Sequence, residues 1–262
     1  ERKGGTFTAD DVTSAFYDGH CGLSFSVFMR DVTNGLKRLG KIRTSETYTS
    51  TLNSFMRFME GRDIPPCDMD SDLMIEYETY LKSRGVCPNT SSYYMRGLRA
   101  IYNRAVEKGM TVQRDPFKYV YTGIGKTVKR AVPLKVIRRI RDMDLALFPA
   151  MDFARDIFMF SFYTRGMSFI DMAYLKKKDL QNGILSYRRQ KTGQQLFVKW
   201  EKPMQEIVDK YDTVSTPYLL PVIKDMNADA RRQYKNAAHL VNDKLKKLGV
   251  RLGLDIPLTS YV

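Results

Sequence analysis

From Ser24 onward, apolar side chains return every third or fourth position. Phe25, Phe28, Met29, Val32 and Leu36 fall on one face of a helix that Gly40 ends. A second helix is predicted from Thr44, with Ser45 as another cap. It carries Tyr48, Leu52, Phe55, Met56 and Met59 until Gly61 and the Pro65-Pro66 pair stop it. The Asp-Ser-Asp sequence at Asp70 predicts a third helix with Leu73, Ile75, Tyr77 and Leu81 inward, ending near Gly85. Asn89 or Thr90 is the expected cap of a fourth and longest helix, running through Tyr94, Leu98, Ile101, Tyr102 and Ala105 to Gly109. Four such helices with short connections predict a compact bundle of about 90 residues.

The pattern then breaks. Asp115-Pro116-Phe117 and Gly123-Ile124-Gly125 disfavour helix, and Lys126, Lys129 and Arg130 make the stretch basic. Helices resume at 133–143, 150–163 and 168–176. Asn182-Gly183 is a turn signal, followed by a strand Ile184–Arg189, a tight Lys191-Thr192-Gly193 turn and a strand Gln195–Lys199. Helices at 203–211 and 227–248 complete the second half. The predicted organisation is a lead-in over 1–22, a four-helix domain over 23–110, a basic linker over 111–132 and a second domain over 133–262. The fold class is mainly α with one small antiparallel hairpin.

Charge changes the picture next. Against 29 acidic residues stand 43 lysines and arginines, a formal charge of +14. A surface that basic gathers polyanions and favours nucleic acid as partner. The cysteines Cys21, Cys67 and Cys87 are odd in number and far apart, and the histidines His20 and His239 are isolated. That spacing suggests neither a metal site nor a disulfide framework. No apolar run reaches the length of a membrane span, so a reducing, cytoplasmic setting is the default expectation. A start at Glu1 rather than Met leads us to expect further sequence upstream.

Several stretches together resemble one known family. The run Asn89–Gly109 is similar to the last helix of the core-binding (SAM-like) domain of phage-type tyrosine recombinases, and Asp115-Pro116-Phe117 resembles the step that follows it. Phe162-Tyr163-Thr164 through Asp171 to Leu175 is similar to the helix pair that carries the family's first catalytic arginine. Arg189-Gln190-Lys191-Thr192-Gly193 resembles the hairpin that carries the catalytic lysine. The closing Pro257–Val262 resembles the approach to a His-x-x-Arg box. No single motif is specific; their order and spacing are. The wording is most similar to integrases of mobile elements in Bacteroides-like bacteria.

The resemblance implies a core-binding domain followed by an α-rich catalytic domain, the two clamping double-stranded DNA. It implies an enzyme that breaks and rejoins DNA at attachment or crossover sites through a 3′-phosphotyrosyl link, working as a homo-tetramer. That link conserves the phosphodiester energy, so no cofactor and no metal are expected. Lys191 matches the general-acid lysine; the plain alternative is a solvated turn lysine. Ser168 stands where the first arginine is due. Arg189 or Arg165 could supply that guanidinium instead, or neither does. On a strand, Arg189 and Lys191 would share a face.

The His-x-x-Arg box and nucleophilic tyrosine are expected beyond Val262, which makes this a C-terminally truncated and inactive part of the enzyme. Tyr261 and His239 are read as packing residues. For DNA contact the candidates are Arg43 and Thr44 at a helix start, Arg96 and Arg99 on the fourth helix with Ser92 and Asn103 also off its core stripe, and Lys126 in the linker. The alternative is a non-catalytic DNA-binding regulator on the same scaffold.

Overall fold

The computed structural model describes residues 23–127 and 131–260, and contacts divide the chain into two compact units at Thr127. Each is mainly helical. The lead-in over 1–22, Lys129, Arg130 and Tyr261 lie outside the described residues.

The first unit is the predicted bundle: α1 (Phe25–Arg38), α2 (Ile42–Phe58), α3 (Ser71–Ser83) and α4 (Pro88–Glu107). Ser24 caps α1 by accepting from Val27 N–H, and Asp70 caps α3 by accepting from Leu73 N–H, as their residue types favour. The apolar stripes meet in one core of Phe25, Phe28, Met29, Leu52, Phe55, Tyr77, Leu98, Ile101 and Tyr102. Its two tyrosine hydroxyls are satisfied, because Tyr77 donates to Ser54 at 2.8 Å and Tyr102 to Val112 O at 2.9 Å.

Local details differ from the sequence reading. Helix α2 starts at Ile42 rather than Thr44, and Ser45 is buried inside it, not at its cap. On α3, Met74 is inward and Ile75 is exposed, since 74, 77 and 81 keep the helical spacing and 75 does not. Helix α4 opens at Cys87-Pro88, because proline suits the first helical position and Asn89 is engaged elsewhere. Cys67 is disulfide-bonded and Cys87 free; the bond depends on proximity in the fold, which spacing along the chain does not report.

Helices α2 and α4 approach closely at Gly97. A Cβ built there would lie 2.7 Å from Thr51 Oγ1 and 3.0 Å from its Cγ2. Thr51 is buried and its hydroxyl is tied to Thr47 O, so it cannot swing aside freely. Gly97→Ala is therefore expected to destabilise the chain by about 1–3 kcal/mol through overpacking, despite alanine's better helix propensity. Urea unfolding would measure it, and a variant as stable as wild type would show that the helices separate without cost.

The stretch expected as a linker from residue 111 packs onto the first unit as far as Gly125. Phe117 and Val120 are buried in its core. Glu78 accepts from Tyr121 N–H, Ser92 donates to Gly123 O, and Asn89 both accepts from Gly125 N–H and donates to its carbonyl. Two apolar anchors and these polar ties outweigh the glycines' freedom. The Glu78 carboxyl, raised by burial, is brought below its ordinary range by the bonds from Lys82 and Tyr121.

The second unit holds α5 (Leu134–Arg141), α6 (Pro149–Tyr163), α7 (Phe169–Ala173), α8 (Lys202–Asp209) and α9 (Ala230–Arg251). Beside them lies an antiparallel sheet of β1 (Leu180–Gln181), β2 (Ile184–Arg188) and β3 (Gln195–Lys199), in that order. Asn182-Gly183 joins β1 to β2 with positive φ at both residues, the geometry of a two-residue hairpin. The turn was legible; the two-residue strand before it was too short to read. In the β2–β3 pair, Leu185 faces Val198 and Tyr187 faces Leu196 on the core side. Helix α6, buried around Ile157, Phe158 and Phe160, forms the centre of this unit.

Candidate functional site

The second unit's site grows from the junction of α6, α7 and the β2–β3 turn. Helix α6 ends in a left-handed pair, Arg165 with φ +60 and Gly166 with φ +84, whose N–H groups bond Phe162 O and Ser161 O. That reversal leaves Arg165 exposed and leads into Ser168, the N-cap of α7. Ser168 Oγ lies 2.6 Å from Asp171 Oδ2, to which it donates. Asp171 is only 4% exposed, and its other oxygen accepts the Gln190 N–H at 2.8 Å. Ser168 is thus a capping residue here, and the carboxylate beside it reaches across to the hairpin turn.

Arg189 follows the last residue of β2, and Lys191 is in the turn itself. The strand alternation expected to put them on one face does not apply, because the chain has already left the sheet. The turn is closed by Arg189 N–H to Gln194 O and Gly193 N–H to Arg189 O, both 2.8 Å, with Gly193 at φ +70. Lys191 is exposed and Arg189 half-buried. Burial pushes the Tyr187 hydroxyl up, the Asp171 carboxylate adds to this, and Arg189 opposes it. Arg189 therefore sits in the field of this cluster. Among the described residues, no hydrogen bond or ion pair engages the side-chain heads of Arg165, Arg189 or Lys191.

In the first unit the candidate residues gather around the starts of α2 and α4. Tyr93 OH reaches Thr47 O and Gly97 abuts Thr51, so contacts advance together and the two helices run in the same direction. Their N-termini lie at one end. Arg43 and Thr44 are exposed in the first turn of α2, which has no side-chain cap, leaving amide N–H groups free for an anion. Asn89 begins α4 and pins Gly125, which puts the exposed Lys126 at the same end. Further along α4, Arg96 bonds back to Ser92 O and the exposed Arg99 donates to Thr122 Oγ1 at 3.2 Å.

Ser92 is fully buried under the 121–125 segment, contrary to its expected place off the core stripe. Asn103 is exposed as expected, beside a cavity of about 380 Å³ that Arg99, Gln113 and Lys118 also line.

Two groups escaped the sequence reading. Gln190 offers only its backbone, so its residue type gave no signal. Asp152, Arg155 and the buried Asp156 of α6 form a charged network with Lys210 and Tyr211, more than 50 residues further along the chain. His239, expected to be partly buried, is exposed on α9. Among the described residues no three His, Cys, Asp or Glu side chains are placed to hold a metal ion, and no helix is long and apolar enough to cross a membrane.

Comparison with known proteins adds to this geometry. Residues 24–123 match the family model described as the phage integrase SAM-like domain. Comparison with curated protein sequences finds no match. Among solved structures, a lambda integrase dimer bound to a COC′ core site matches with TM-score 0.66 and 14% identity, over 94% of this chain and 68% of that one. A lambda integrase tetramer bound to a Holliday junction matches with TM-score 0.58 and 13% identity, over 98% of this chain and 83% of that one. The Tn1549 transposon integrase in complex with a circular intermediate DNA matches with TM-score 0.51 and 12% identity, over 72% and 65%. By fold, the chain is built like these integrases, with the family match lying in its first unit.

Proposed function

We propose that these residues belong to a tyrosine site-specific recombinase of the kind carried by mobile elements of Bacteroides-type bacteria, and that their own task is to hold double-stranded DNA. The observation that carries the reading is the β2–β3 turn tied to Asp171, which holds the segment of Arg189 and Lys191, whose cationic heads are unpaired among the described residues. Unpaired cations beside a rigid anchor suit a phosphate whose charge grows during strand transfer. In this reading Lys191 protonates the leaving 5′ oxygen, and Arg189 or Arg165 supplies the guanidinium that Ser168 does not. The 262 residues contain no His-x-x-Arg sequence, so strand breakage by this route requires such a box from outside them.

The lambda integrase structures are DNA complexes, one of them a tetramer, and we extend both features to the enzyme proposed here. A cytoplasmic setting follows from a DNA substrate. We assign the domain roles accordingly: 23–110, with the 111–125 stretch packed onto it, is the core-binding domain, and 133–262 belongs to the catalytic domain. Within the first domain, Arg43, Thr44, Arg96, Arg99 and Lys126 are the proposed phosphate and groove contacts.

Binding of the chain to duplex DNA is expected to weaken steeply with salt, because each neutralised phosphate releases condensed counterions. The plot of log K against log salt should fall with a slope of about −0.9 per phosphate contact, and Arg43→Ala or Lys126→Ala should each flatten it by about one. A slope near zero, or equal affinity for unrelated RNA, would remove the phosphate clamp from consideration.

A further inference from the structure

We propose that Asp171 is the positioning residue of the second unit's site: its buried carboxylate clasps the Gln190 N–H and thereby holds the turn that carries Lys191. Lys191 has a chemical task only under the recombinase reading; the clasp itself rests on geometry alone.

The turn is otherwise poorly anchored. Residues 190–194 are exposed, and their other hydrogen bonds stay within the hairpin: Arg189 to Gln194, Gly193 to Arg189, and the Arg188 guanidinium to Gly193 O. Among the described residues, Gln190 N–H to Asp171 Oδ1 is the one hydrogen bond leading from the turn to the rest of the unit. A turn tied only to itself opens easily, because little buried contact resists it.

Asp171 suits the task for physical reasons. An ionised oxygen makes a hydrogen bond roughly twice as strong as a neutral one, and burial removes the competing water. Ser168 donates to the second oxygen at 2.6 Å, which fixes the carboxylate's rotation and satisfies it where, among the described residues, no lysine or arginine forms an ion pair with it. Asp171 N–H in turn lies 3.4 Å from Ser168 Oγ. The serine at 168 therefore has a positive role: it aims Asp171 at the turn. Asp171 acts through Lys191 and touches no reacting atom.

The test uses the 262-residue chain and two readouts. In amide hydrogen exchange, Asp171→Ala should speed exchange at Gln190 by about tenfold or more, with the β2 and β3 amides of Tyr187 and Val198 unchanged. Asp171→Asn keeps an oxygen acceptor and should stay within about threefold of wild type. If Asp171→Ala does not fold, Ser168→Ala serves, with Gln190 exchange expected to rise by about threefold or more. Unchanged Gln190 exchange overturns the clasp, as does Asn behaving like Ala, or equal acceleration throughout the hairpin and α6.

In DNA binding, Lys191→Ala should reduce the salt slope by about one, Asp171→Ala should do the same, and the double variant should lose no more than either. Additive losses overturn the positioning role. A wild-type chain that binds no duplex DNA overturns the recombinase reading and the task given to Lys191, whereas the exchange measurement still decides the clasp.

Discussion

Asp156→Ala is expected to destabilise the second unit by about 3–5 kcal/mol, the usual cost of leaving buried charge without its partner. Asp156 is 4% exposed. One of its oxygens accepts from Arg155 at 3.0 Å; the other accepts from Tyr211 OH at 2.7 Å and from Lys210. Arg155 is itself largely enclosed and also bonds Met143 O and Asp152. The network thus ties α6 to the loop before it and to the segment after α8. Alanine removes the shared anion and leaves Arg155 Nε and the Tyr211 hydroxyl without their acceptor, with Asp152 alone facing both cations. Burial first, and then the Asp156 carboxylate, push the Tyr211 hydroxyl up, so that phenol stays a donor across the ordinary pH range and cannot replace the lost charge. Thermal unfolding should show a fall of roughly 10–20 °C for a unit of this size. Lys210→Met is the informative contrast, because Lys210 is 39% exposed at its side chain and solvent screens what it contributes. It should cost under about 1 kcal/mol. Equal losses for the two variants would mean that Asp156 is no more buried in solution than Lys210.

Lys191→Ala is expected to slow strand cleavage by about 10²–10⁴-fold in the recombinase we propose, the range for losing a positioned general acid. A suicide DNA substrate, which traps the covalent intermediate, would read the rate directly. The chain's own stability should not change, since the Lys191 side chain is exposed and unpaired. The same assay separates the two arginines. Arg189→Ala removes the guanidinium of a half-buried residue whose charge acts on Tyr187. Arg165→Gly removes the other while suiting the backbone, because a side chain at φ +60 costs about 1 kcal/mol that glycine does not. Loss of cleavage without loss of stability in one variant identifies the guanidinium that supplies, in this proposal, what Ser168 does not. Wild-type cleavage by both would leave the first arginine's role unfilled.

How much of this was legible in the sequence depends on the range of the interaction. The helices of the first unit are written in apolar spacing and in local caps such as Ser24 and Asp70, because those signals act within a turn or two of the chain. Asn182-Gly183 likewise dictated its own turn, since both residues tolerate positive φ. The basic balance was plain from a count. Lys191 in its turn and Ser168 before its helix were visible as residue types at a spacing, and only the resemblance proposes a chemical meaning for them.

Only the tertiary structure decided what lies between distant segments. That the 111–125 stretch packs onto the first unit depends on Glu78, Asn89 and Ser92 meeting backbone groups some 31–43 residues away. That Asp171 reaches Gln190 depends on α7 and the hairpin lying side by side, and a backbone N–H carries no trace in residue type. The Asp156 network joins residues up to 58 apart whose charges, read singly, look like solvated surface. Periodicity reports which face of an element is buried, whereas proximity in the fold decides which polar groups are buried together and must satisfy one another.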